Sequence, residues 1–140
     1  MKKMSPEEVA EVCERLYDLA KSRGKETESH DSDRENGYGF RKDRQHFTLR
    51  DRGCIIVATR EQLRSWGPMS DSSGVYRKLE IYRGEKKTPL CAAGISEDKR
   101  VENFSHGDER FLGSERPPTE PWEVSSGRIP MRYRSKKVAK

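Results

Sequence analysis

Apolar residues are scarce in this chain: they make up 31% of 140 residues, against 38% charged. Little apolar surface is on hand to offset the entropy of ordering every residue. The balance predicts that part of the chain orders only against something else, with fast amide exchange over 25–36 and 113–140 in the isolated protein. Long hydrophobic runs are absent, which excludes a helical membrane span. The start, MKKMSPEEV, has lysines with no apolar stretch behind them, so no secretory leader is expected and the expected location is intracellular, cytoplasm or cytoskeleton. Asn103-Phe104-Ser105 is then a chance match to a glycosylation acceptor. The three cysteines, Cys13, Cys54 and Cys91, lie far apart and read as reduced, partly buried thiols. No cysteine or histidine pair has the close spacing of a zinc clip. Gly37-Tyr38-Gly39 lacks the lysine-serine end of a phosphate cradle. Neither a metal nor a cofactor is expected, and no small-molecule substrate.

What is present begins with a helix. Ser5-Pro6-Glu7-Glu8 is a capping box with proline at the first helical position, predicting a helix from Pro6 to Arg23 with Gly24 as its left-handed cap. Val9, Val12, Cys13, Leu16, Tyr17 and Ala20 recur at three- and four-residue spacing and form one apolar stripe in need of a surface. From Lys25 to Asn36 the chain has no aliphatic or aromatic residue, so 25–37 reads as a polar linker. His46 to Arg50 and Cys54 to Ala58 read as strands joined at Asp51-Arg52-Gly53, the second being the longest apolar run and a candidate central strand. Thr59-Arg60-Glu61-Gln62 repeats the capping pattern and predicts a short helix from Arg60 to Trp66. Val75 to Arg83 alternates as a strand does, and Pro89 to Ile95 returns as its hairpin partner. Four prolines, Pro117, Pro118, Pro121 and Pro130, predict extended chain over 113–140.

The resulting expectation is an α+β fold: an N-terminal amphipathic helix (1–24), the linker (25–37), a small antiparallel sheet with one short helix (38–112), and a long extended, basic, proline-containing tail (113–140). The tail holds the whole charge excess. Arg116, Arg128, Arg132, Arg134, Lys136, Lys137 and Lys140 outweigh Glu120 and Glu123 by five, while the first 115 residues balance 22 basic against 22 acidic. A neutral body with a basic arm points to an acidic partner, either a protein assembly or nucleic acid. Leu16, Tyr17, Trp66, Phe104, Phe111 and Trp122 are the expected partner anchors, since single aromatics on a poor core gain most in a partner's pocket. Arg128, Arg132, Tyr133, Arg134, Lys136 and Lys137 would supply charge and stacking. Tyr38-Gly39-Phe40-Arg41-Lys42 and Met131-Arg132-Tyr133-Arg134 mix basic and aromatic residues as single-stranded nucleic-acid binders do, which keeps an RNA-binding alternative in view. A second alternative is a ribonuclease-like enzyme in which His46 and His106 act as base and acid beside Arg41, Lys42 and Arg44. Neither histidine has a spaced motif to orient it, so no catalytic residue is expected.

In layout the chain resembles small proteins that line the inside of doublet microtubules in ciliary and flagellar axonemes. The helix SPEEVAEVCERLYDLAKSR, followed by polar chain and ending in ERPPTEPWEVSSGRIPMRYRSKK, carries the resemblance. It implies a non-enzymatic structural or adaptor protein that stabilises a larger acidic assembly, foremost the microtubule lattice with its acidic tubulin.

Overall fold

Two dipeptides place both central residues at positive φ: Asn36-Gly37 (49° and 85°) and Arg52-Gly53 (48° and 83°). Such pairs form the two-residue hairpin turns whose twist matches that of the flanking strands. They tie together the first three strands of a computed structural model that describes residues 4–68, 70–103 and 122–134, with side chains described over 4–68, 71–97 and 122–134. After helix α1 (Pro6–Arg23) the chain runs through β1 (Lys25–Glu35), β2 (Tyr38–Asp51), β3 (Cys54–Trp66), β4 (Ser70–Arg83), β5 (Cys91–Asn103) and β6 (Glu123–Gly127), then a single helical turn, α2 (Met131–Arg134). The strands form one six-stranded antiparallel meander in chain order.

The fold is therefore mainly β, which corrects the expected α+β module with long arms. Three segments account for the difference. The expected linker is spanned by β1, paired with β2 from Lys25↔Thr48 to Glu35↔Tyr38. Its side chains are polar, but its order comes from the backbone ladder, to which side-chain polarity is indifferent. The expected short helix 60–66 continues β3, where Arg60 to Trp66 pair with β2 on one side and β4 on the other. The helical spacing of Leu63 and Trp66 is a coincidence that two flanking strands override. In the expected extended tail, β6 pairs with β5 and α2 is the last described element; residues 113–121 and 135–140 lie outside the described residues.

Helix α1 has the predicted capping box: Glu8 N–H donates to Ser5 Oγ at 3.1 Å and Ser5 N–H to Glu8 Oε1 at 2.8 Å. Gly24 ends it with φ −84°, extended rather than left-handed, because the chain passes directly into β1. A Cβ there would sit 2.6 Å from the Ala20 carbonyl oxygen and 2.8 Å from that of Thr48. Val12, Cys13, Leu16, Tyr17 and Ala20 are buried against Phe47, Ile56, Ala58, Leu79, Ile81, Cys91 and Ala93. The stripe's surface is thus the chain's own sheet, and burial of each large side chain such as Val12, Leu16, Ile56 or Ile81 contributes about 1.5–3 kcal/mol. Burial raises the thiols of Cys13 and Cys91 to about 12 and about 11.

The helix crosses the sheet's order from β6 to β1 but covers only half its length. The covered half ends at the Arg52-Gly53 turn, where α2 is fastened: Tyr133 O–H donates to Asp51 Oδ2 at 2.6 Å, and Arg132 donates to the Asp51 and Arg52 carbonyls at 3.1 and 3.0 Å. Arg15 donates to the Tyr133 carbonyl at 2.6 Å from the helix side. Beyond α1 the strands run on, and that free half carries the site.

Candidate functional site

Strand periodicity decides what lies on the free half. Ile56 and Ala58 face α1, so the same face of β3 continues with Arg60, Gln62, Arg64 and Trp66. The register places Arg41 of β2 opposite Arg64, Asp43 opposite Gln62, and Ser73 and Val75 of β4 opposite Arg64 and Gln62. These six residues, with Leu63 and Gly74, line a cavity of about 390 Å³. The residues that close the core in the covered half give way, two by two along each strand, to polar ones.

Arg41 and Arg64 dominate the groove, with side chains 59% and 65% exposed. Like charges directly opposite across a ladder oppose folding, and each is partly compensated. Arg41 Nε donates to both Asp43 carboxylate oxygens, at 3.1 and 3.0 Å. Asp43 also bonds His30 Nδ1 at 2.6 Å, and the two partners hold its carboxyl below the usual range, Arg41 more than His30. Arg64 is more loosely held, with Nη2 3.5 Å from Asp71 Oδ2 and its guanidinium 5.8 Å from the Trp66 ring centroid. Asp71 Oδ1 is buried with no hydrogen-bond partner among the described residues. The groove thus presents two forked cations.

Between groove and helix lies Arg77 of β4. Its guanidinium stacks 4.9 Å from the Tyr17 centroid and 5.2 Å from that of Trp122, and forks Glu14 of α1 at 3.1 and 2.7 Å. Trp122 Nε1–H donates to the same carboxylate at 3.2 Å. This knot fixes the edge of α1 at the groove's inner end.

The expected anchors stand elsewhere. Leu16, Tyr17, Trp122 and Tyr133 are buried within the molecule. Trp66 is half-buried over Gly39 at the groove's outer end. Arg132 is spent on the β2–β3 turn, Arg134 Nε donates to the Ile129 carbonyl at 2.8 Å, and Arg128 is exposed. Phe104, Phe111, Lys136 and Lys137, and His106 of the two-histidine alternative, lie outside the described residues. His46 is on the face away from α1, 3.3 Å from Thr59 Oγ1. Of the Tyr38–Lys42 motif only Arg41 and Gly39 belong to the groove face, since Tyr38, Phe40 and Lys42 alternate to the other. Gln62, Arg64 and Ser73 are not among the residues the sequence singles out; the alternation of Arg60, Gln62 and Arg64 is the available signal, hidden when 60–66 is read as helix.

Among the described residues no helix is long and apolar enough to cross a membrane, and no group of three or more histidine, cysteine or acidic side chains is placed to hold a metal ion. The chain matches no protein-family model, no curated protein and no solved structure.

Proposed function

We infer that the chain is a non-enzymatic binding module, an adaptor that holds an acidic segment of a protein partner in the groove of the free half-sheet. The observation carrying this is Arg41 directly opposite Arg64 at the mouth of a cavity. A like-charged pair in that register opposes folding, and an incoming carboxylate, which each guanidinium grips with two parallel hydrogen bonds, would relieve it. A continuous phosphate backbone fits less well. Asp43, Asp71 and Glu28 stand on the same face as the arginines and limit how much anionic charge the groove can take, which favours a short acidic segment over an unbroken run of phosphates. An acidic protein polymer such as the microtubule lattice presents segments of the favoured kind.

Fluorescence anisotropy with a labelled oligoglutamate peptide and a labelled oligouridine tests the reading. The peptide should bind, and Arg41→Ala/Arg64→Ala should weaken it about tenfold or more, each charge-assisted contact being worth roughly 1.5–3 kcal/mol before solvent screening. Thermal melts should show the double variant folded. Arg128→Ala/Lys136→Ala/Lys137→Ala should leave peptide binding nearly unchanged. Oligouridine bound in preference to the peptide, or peptide binding lost only in the tail variant, would overturn the groove assignment.

A further inference from the structure

Strand β1 is the outer edge of the sheet, and all its residues are exposed apart from Ser29, which is half-buried. Edges of this length are normally protected by charge or interruption against pairing with other chains. This one is charged, but its charges follow a pattern. Read from both ends, Lys25-Glu26-Thr27-Glu28-Ser29-His30-Asp31-Ser32-Asp33-Arg34-Glu35 is complementary to itself about His30. Lys25 mirrors Glu35, Glu26 mirrors Arg34, Thr27 mirrors Asp33, Glu28 mirrors Ser32, and Ser29 mirrors Asp31.

The backbone phase agrees with that centre. Asn36-Gly37 makes a two-residue turn, so Glu35 and Tyr38 form a hydrogen-bonded pair, and every second residue back from Glu35 bonds β2. The residues between, Glu26, Glu28, His30, Ser32 and Arg34, turn their N–H and C=O groups outward. A second β1 must bond through the same set. A dyad at His30 does this, setting each outward-facing residue opposite an outward-facing one. It also keeps opposing side chains on one face of the sheet. Moving the dyad by one residue to Asp31 sets Asp31 against its own copy, and moving it to Ser29 leaves Arg34 and Glu35 beyond the end of the partner strand. Among the described residues Lys25, Arg34 and Glu35 have no ion-pair partner within the chain, so their charge is available.

We propose that β1 is a self-recognition edge: two copies of this chain pair antiparallel through β1, in register about His30, to form a continuous twelve-stranded sheet. The contact is isologous, each Glu26–Arg34 and Lys25–Glu35 pair occurring twice. The two α1 helices then lie on the same face, with the two grooves beside them. The inference stands independently of what the grooves bind. Edge pairing buries modest area, so the dimer belongs to the reversible class, and its strength rises as salt is lowered.

Sedimentation equilibrium of the full chain over a concentration series, at low and high salt, provides the test. Wild type should show a monomer–dimer equilibrium. Arg34→Glu puts a carboxylate opposite the Glu26 carboxylate at both symmetry-related positions and should weaken dimerisation about tenfold or more. Glu26→Arg should do the same by putting a second guanidinium opposite Arg34. Mixed in equal amounts, the two variants become complementary at both positions and should form a heterodimer of about wild-type strength, which misfolded variants would not do. Ser32→Pro, which removes one outward N–H without touching the bonds to β2, should also weaken pairing. Wild type that stays monomeric at about 100 µM and low salt, or variants that dimerise as well as wild type, would overturn the proposal.

Discussion

Arg77 is the side chain on which the polar interior turns. It is only 14% exposed and sits between two aromatic faces with Glu14 on one side and Glu97 on the other, its Nε 2.9 Å from Glu97 Oε2 but with the N–H directed away from that oxygen. An ion pair of this kind adds little net stability, yet removing one partner strands the other. The Arg77 hydrogen bond holds the Glu14 carboxyl below its ordinary 4.5, outweighing the opposing effect of burial, and the Trp122 bond adds to it. A folded value below the unfolded one stabilises the protein above the unfolded pKa, and that contribution disappears as pH falls through the folded value. Urea midpoints taken between about pH 6 and pH 3 should therefore fall less steeply in Glu14→Gln than in wild type. At neutral pH the variant should be less stable by roughly 1 kcal/mol, a modest figure because the Glu14 side chain is 45% exposed. Equal slopes would remove Glu14 from the account. Little of this knot is legible in the sequence. Tyr17 and Trp122 stand out as isolated aromatics, but they are 105 positions apart in the chain, and only the sheet's closure brings them to 5.9 Å around an arginine no motif marks.

Elements with local signals are readable from sequence, and those that depend on neighbours are not. The capping box and apolar stripe define α1 within the helix itself. Apolar alternation marks the central parts of β3 and β4, where one face is core. Strand β1 has no apolar residue and announces itself only through Asn36-Gly37, a hairpin signal outweighed by the polarity around it. The outer half of β3 is obscured for a related reason: its pattern is polar on both faces, so a chance helical spacing prevails. Glycines tell the same story from the other side. Gly39 leaves room for the Trp66 ring, and a Cβ there would lie 2.5 Å from a ring carbon. Gly39→Ala should cost about 1–3 kcal/mol in chemical denaturation by forcing the ring off the strand, and Trp66→Ala in the same chain should relieve part of it, the remainder being the Asp33 carbonyl 2.9 Å from the new Cβ. If Gly39→Ala costs the same with and without Trp66, the ring is not what the glycine accommodates.

At the scale of the molecule, composition suggests borrowed order, and the sheet shows how so few apolar residues suffice. They are concentrated in the half covered by α1 and sealed by Ile129 and Tyr133, while the rest of the sheet stands on backbone pairing and cross-strand ion pairs. The basic tail is the source of net charge, but Arg132 and Arg134 hold the chain's own carbonyls, so charge counted along a sequence does not locate the surface that presents it. The groove is the proposed recognition surface instead. The most direct measurement is an amide chemical-shift map of the isotope-labelled full chain during titration with an oligoglutamate peptide. Saturable perturbations centred on Arg41, Asp43, Gln62, Arg64 and Ser73 are the predicted result. Perturbations confined to Arg128–Lys140, or none at saturating peptide, would contradict it.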